Sequence, residues 1–202
     1  AKPVIAWVDF CRRNPHECRV DAGEPEQVEL TQKNWKTIIS TNVRTNRDIE
    51  PVTDMDHWGQ IDRWDMAEDG KGDCEEYVLV KRKKLVEAGF PRRALLVTVV
   101  IDDENQGHAV LMVRTDRGDF ILDNRRNEIR RWDDLDYAFL KRQSPRDPRA
   151  WVALARDKTR ACRTAPTSCC WTTTTRAALR HPPFSASSTN PTSHWRRCPR
   201  RA

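Results

Sequence analysis

Apolar positions follow a helical spacing over the first ninety residues and a strand spacing after them. Residues 3–13 carry Val4, Ile5, Trp7 and Val8, which predict a short helix with those side chains as its apolar face, stopped by Asn14-Pro15. A polar stretch with Gly23 and Pro25 follows. Thr31 then predicts an N-cap, and Trp35, Ile38, Ile39, Asn42 and Val43 fall on one face of a longer helix that ends near Asn46, before Pro51. Gly70-Lys71-Gly72 breaks the chain ahead of a helix over 74–88, closed by Gly89 and Pro91.

Beyond Pro91 the period shortens. Residues 94–101 form a β-branched run, residues 102–106 a turn, and residues 108–113 and 120–122 two strands around Asp116-Arg117-Gly118. Residues 137–142 supply another strand. Helices first and an antiparallel sheet second predict an α+β domain over residues 1–155. No long apolar run suggests a membrane span, and no fixed-period repeat suggests a solenoid.

Charge changes the picture once it is divided. The 202 residues carry a formal net charge of +6. Residues 156–202 hold ten Arg or Lys against one acid, Asp157, whereas residues 1–155 hold 26 against 29. The body is mildly acidic, so the overall basicity gives no reason to expect nucleic-acid binding by the folded domain. The segment 156–202 is rich in Arg, Thr, Ser, Pro and Ala and has no periodicity. It reads either as a disordered basic tail or as translation in a wrong frame.

The cysteines of the body are Cys11, Cys18 and Cys74. Cys11 and Cys18 are close enough in sequence to close a small loop. That would leave Cys74 alone, a nucleophile candidate at the first turn of a helix, where unsatisfied amides favour thiolate. A helical cysteine on its own is more often a small core residue. His108 opens a strand and Asp123 ends the next, and a thiol, an imidazole and a carboxylate together serve nucleophilic acyl transfer. A four-residue loop over 114–117 sets Asp123 opposite His108. A two-residue turn at Arg117-Gly118 sets it opposite Met112, so the triad requires the longer loop or a bulge.

Acids crowd the approach to Cys74: Asp54, Asp56, Asp62, Asp65, Glu68, Asp69, Asp73, Glu75 and Glu76, offset by Arg63 and Lys71. Carboxylates beside the thiol raise its pKa by repulsion, and a hard divalent ion collecting their oxygens would cancel that effect. The plainer alternative is a solvated helix N-terminus. The Cys74 amide, with Trp58, Gln60 or Trp64, is a candidate oxyanion donor set.

These residues carry a resemblance. Gly72-Asp73-Cys74-Glu75-Glu76-Tyr77, Gly107-His108-Ala109-Val110-Leu111 and Phe120-Ile121-Leu122-Asp123-Asn124 resemble the bacterial transglutaminase-like cysteine peptidases. So do Trp7-Val8-Asp9-Phe10-Cys11 with Asn14-Pro15 and Cys18, Asp54-Met55-Asp56-His57-Trp58-Gly59, Lys141-Arg142-Gln143-Ser144 and Trp151-Val152-Ala153-Leu154. The likeness runs over about residues 3–154 and stops after Ala155, which favours the wrong-frame reading of the tail. It implies a papain-like or transglutaminase-like fold, with Cys74, His108 and Asp123 as nucleophile, base and orienter. It implies calcium held through Asp73, Glu75, Glu76 and Asp54, with Glu76 standing where Asp is common. It further implies a periplasmic or secreted protein with a Cys11–Cys18 disulfide and its leader removed, since the chain begins Ala1-Lys2-Pro3 without Met. The expected activity is cleavage of an extracytoplasmic, adhesin-like protein, under control of a membrane receptor by analogy. An amidase, deamidase or transglutaminase with the same triad, and a silent binding module, are the competing expectations.

Overall fold

The computed structural model describes residues 1–154; the expectations for residues 156–202 lie outside the described residues. The chain opens with α1 (Ile5–Arg13), α2 (Gln32–Asp48), the two-residue strand β1 (Glu50–Pro51), α3 (Asp54–Trp58), the short β2 (Lys71–Gly72) and α4 (Cys74–Glu87). The strands β3 (Leu95–Ile101), β4 (Gly107–Thr115), β5 (Gly118–Leu122), β6 (Arg130–Arg131), β7 (Ala138–Gln143) and β8 (Trp151–Ala153) follow. They form one six-stranded antiparallel sheet in the order β6-β5-β4-β3-β7-β8, while β1 and β2 pair in parallel on their own. The fold is α+β, with helices preceding the sheet, as the change of period implied. Among the described residues no helix is long and apolar enough to cross a membrane.

Strand alternation divides the core. Val97, Val99, Ala109, Leu111, Val113 and Leu122 pack with Trp7 and Phe10 of α1, Ile38 of α2 and Val78 and Leu85 of α4. The other phase, Leu96, Val100, Val110, Met112 and Ile121, packs with Leu135, Tyr137 and Phe139. α4 is buried on nearly every side, Lys81 and Arg82 included, so its sequence shows little amphipathic pattern.

Two helix faces differ from expectation. α1 buries Ala6, Trp7, Phe10 and Cys11, leaving Ile5 80% and Val8 45% exposed. The indole of Trp7 stacks on Phe10, meets Trp64 edge-on and donates to the Pro148 carbonyl, so the large rings rather than the aliphatics set the rotation. A disulfide joins Cys11 to Cys18 beside them. α2 buries Ile38, Thr41, Asn42 and Thr45, and turns Ile39 and Val43 outward. Its polar stripe has a partner. The Asn42 amide donates to the carbonyls of Arg126 and Asn127, and the Asn46 amide to those of Asp123 and Arg126. The loop after β5 needs donors for its backbone, and α2 supplies them.

Candidate active site

Asp73 caps α4 and Cys74 is the first residue of that helix. A reciprocal capping box closes the turn, with the Asp73 N–H donating to Glu76 Oε2 at 3.0 Å. The turn is tight because Gly72 lies against it. A Cβ on Gly72 would fall 2.5 Å from the Glu76 Cβ. Cys74 is buried, and it is the one described cysteine outside the disulfide. Its Sγ lies 3.0 Å from Glu75 Oε2. α4 packs against β4, whose second residue is His108.

His108 and Asp123 meet below the surface. Nε2 lies 2.9 Å from Oδ1, with both side chains 1% exposed or less. The register that achieves this differs from both expected ones. Thr115 pairs with Gly118 across a two-residue turn at Asp116 and Arg117, and Leu111 pairs with Leu122. Asp123 therefore falls beside Val110, two places from His108. No longer loop or bulge is needed. Residues two apart share a face, and a diagonal of about 7 Å is within reach of two side chains. The Thr115 hydroxyl bonds to both Gly118 O and Arg117 N–H, and Asp116 bonds to Val28 and Leu30, which fixes the short turn.

Asp123 is anchored on all sides. Oδ1 also accepts from Arg125 N–H at 2.9 Å, Oδ2 accepts from the Tyr137 hydroxyl at 2.7 Å, and Arg126 Nε stands 3.5 Å away. Burial alone would raise its pKa, but the bonds and charge of His108, with those of Arg125 N–H and Tyr137, hold it well below the usual carboxylate range. An ionised carboxylate only accepts, so Nε2 must donate and the neutral ring keeps its lone pair on Nδ1. Tyr137, Arg126 and Asn46 were not among the expected site residues. Arg126 lies in an unpatterned loop, Tyr137 at the first position of an expected strand and Asn46 at the expected end of a helix, and only the folded loop brings them to Asp123.

The acids gather into two overlapping groups. One oxygen each from Asp54, Asp73 and Glu76 lie within 4.8 Å of one another, and Asp73, Cys74 and Glu75 form a second set. Asp54 and Glu76 are buried. Asp73 Oδ1 is buried with no hydrogen-bond partner among the described residues. Burial first, and the Asp73 charge second, push Asp54 up to about 7 and Glu75 and Glu76 well above their ordinary range. Backbone N–H groups of Arg63 and Asp65 point at Asp54 and Glu76, respectively. Of the expected oxyanion donors, Trp64 is committed elsewhere. It is buried and its indole N–H bonds to Asp62 at 2.8 Å. Trp58 and Gln60 are exposed.

Residues 1–159 match a family model described as bacterial transglutaminase-like cysteine proteinase BTLCP. Among solved structures the fold is similar to Legionella pneumophila LapG, with 22% identity, a TM-score of 0.52, and coverage of 64% of this chain and 74% of that one. A calcium-bound LapG from the same organism gives 24% identity, a TM-score of 0.49 and coverage of 56% and 66%. An EGTA-treated form gives 25%, 0.48, 54% and 62%. No curated protein matches the chain.

Proposed function

This chain belongs to the bacterial transglutaminase-like cysteine proteinase family, and from that membership we propose that it is a cysteine endopeptidase. Cys74 is the nucleophile, His108 the base and Asp123 the residue that orients the imidazole. The buried 2.9 Å His108–Asp123 pair carries the reading, because it leaves Nδ1 as the proton acceptor. Nδ1 takes the thiol proton as Sγ attacks the substrate carbonyl. It then gives that proton to the leaving amine, and water hydrolyses the thioester. The substrate class is an extracytoplasmic, adhesin-like protein, with a membrane receptor as regulator. The Cys11–Cys18 disulfide supports a periplasmic or secreted setting, where such bonds persist.

Asp54, Asp73 and Glu76, with Glu75 at their edge, suit calcium. The donor set is hard oxygen, and among the described residues Asp73 Oδ1 is a buried acceptor with no hydrogen-bond partner. The ion would neutralise carboxylate charge beside the thiol.

The test is iodoacetamide labelling at pH 6, read by peptide mass, with calcium and with chelator. Fast labelling confined to Cys74 is expected, and chelator should slow it. Slow labelling of Cys74 in both conditions overturns the nucleophile assignment. Backbone cleavage rather than amine incorporation into a candidate adhesin separates a peptidase from a transglutaminase.

A further inference from the structure

We propose that Tyr137 and Arg126 act as a clamp that fixes the Asp123 carboxylate, and through it the orientation of the His108 ring. The inference rests on the assignment of Asp123 as the orienting residue, and both members are positioning residues rather than catalytic ones.

The two carboxylate oxygens have different occupations. Oδ1 serves His108 Nε2 and the Arg125 N–H, each at 2.9 Å. Oδ2 receives the Tyr137 hydroxyl at 2.7 Å and faces Arg126 Nε at 3.5 Å. The carboxylate torsion is soft and roughly two-fold, so contact with His108 alone would let the oxygens exchange and the ring follow. Donors on the far oxygen remove that freedom.

The direction of the phenol is itself decided. Arg126 Nη2 stands 2.8 Å from the Tyr137 oxygen. A guanidinium has donors only, so it occupies a lone pair of the phenol, and the single phenolic proton points at Oδ2. The guanidinium also lies 5.2 Å over the Tyr137 ring. Burial and the neighbouring Asp123 charge push the Tyr137 pKa up, so the phenol remains a donor at any working pH. Arg126 is held in turn by its carbonyl, which accepts from Asn42 and Asn46 of α2. The Tyr137 ring stands edge-on to the imidazole at 6.3 Å and 87°, so the residue that holds the carboxylate also borders the base. The titratable and charged groups that face Asp123 are His108 from β4, Arg126 from the following loop and Lys81 from α4; Tyr137 adds an uncharged donor whose geometry is set by Arg126.

The experiment is proton NMR on the full chain, following exchange of the His108 Nε2–H with water. The buried Trp7 Nε1–H, bonded to Pro148 O, reports global opening as an internal reference. Tyr137→Phe keeps the ring and removes the hydroxyl. Exchange at His108 should speed up on the order of tenfold, the weight of one hydrogen bond to a charged group, while Trp7 exchange stays put. Arg126→Met should produce the same change by a smaller factor. If Tyr137→Phe does not fold, Arg126→Met alone decides. Unchanged His108 exchange in the folded variants, or fast exchange already in the parent protein, overturns the clamp. No turnover enters this measurement. A chain that shows the expected exchange yet lacks an activated Cys74 retains the clamp and loses the peptidase reading.

Discussion

The Nε2 of His108 reaches the Oδ1 of Asp123 at 2.9 Å across a two-place offset in the β4–β5 ladder. The offset works because both residues stand in the same phase of the sheet and because Asp123 has left the ladder, with its backbone carbonyl taken by Asn46. The pair is thus a product of three elements: β4, the end of β5 and α2.

Asp123→Ala removes the acceptor of His108, Tyr137 and the Arg125 N–H together. We expect a loss of about 3 kcal/mol in unfolding free energy at pH 7, with buried donors left unsatisfied. Asp123 is held below its unfolded pKa, so its contribution is complete above about pH 4 and fades as pH falls through the lower folded value. Denaturant titrations at pH 7 and pH 3 check this; an equal gap at both pH values contradicts the ionic contribution.

Asp54→Asn should reverse sign with calcium. Asp54 is pushed up to about 7, above its unfolded value near 3.8, so the folded state loses stability as pH rises between those values. Without a cation at pH 7.5, the amide relieves repulsion and the variant should melt above the parent. With calcium the parent gains more and the order should invert. Melting temperatures in chelator and in millimolar calcium decide it, and a variant that behaves alike in both conditions removes Asp54 from any cation site.

Gly72→Ala should disturb the first turn of α4. The added Cβ would stand 2.5 Å from Glu76 Cβ and 2.6 Å from its Cγ. Overpacking of this kind costs about 1–3 kcal/mol. It would also push Glu76 off the Asp73 and Asp65 amides. Thermal unfolding with Cys74 labelling measures both effects, and an undisturbed variant would show that β2 and α4 can separate freely.

Lys81→Met should stabilise the fold at neutral pH. Lys81 is fully buried, its Nζ has no hydrogen-bond partner among the described residues, and burial lowers its pKa to about 7, with Asp123 opposing. Its folded pKa lies below the unfolded one, so the parent gains stability as pH rises from about 7 to 10. The variant should melt higher at pH 6.5 and lose that advantage by pH 10. A lower melting temperature at pH 6.5 would mean that the ammonium is needed beside Asp123.

The sequence by itself determined the element order and the start of α2, and it put Cys74, His108 and Asp123 forward as candidates. Those signals are local: Thr31 caps α2, Gly70 and Gly72 precede α4, Gly89 ends it, and the β-branched run at 95–101 has no other use. The acids around Cys74 were also legible, since neighbours in sequence at a helix start are neighbours in space. Tertiary structure decided the rest. The faces of α1 and α2 depend on which partners exist, so Trp7 and Phe10 outweighed Ile5 and Val8, Ile39 and Val43 turned outward, and Asn46 joined Asn42 in bonding to a loop eighty residues away. The hairpin register was set by Thr115 and by the Val28–Leu30 segment, not by the hairpin residues alone. Tyr137 and Arg126 became neighbours of Asp123 only when the loop after β5 folded back, because a contact between distant segments leaves no period in a sequence.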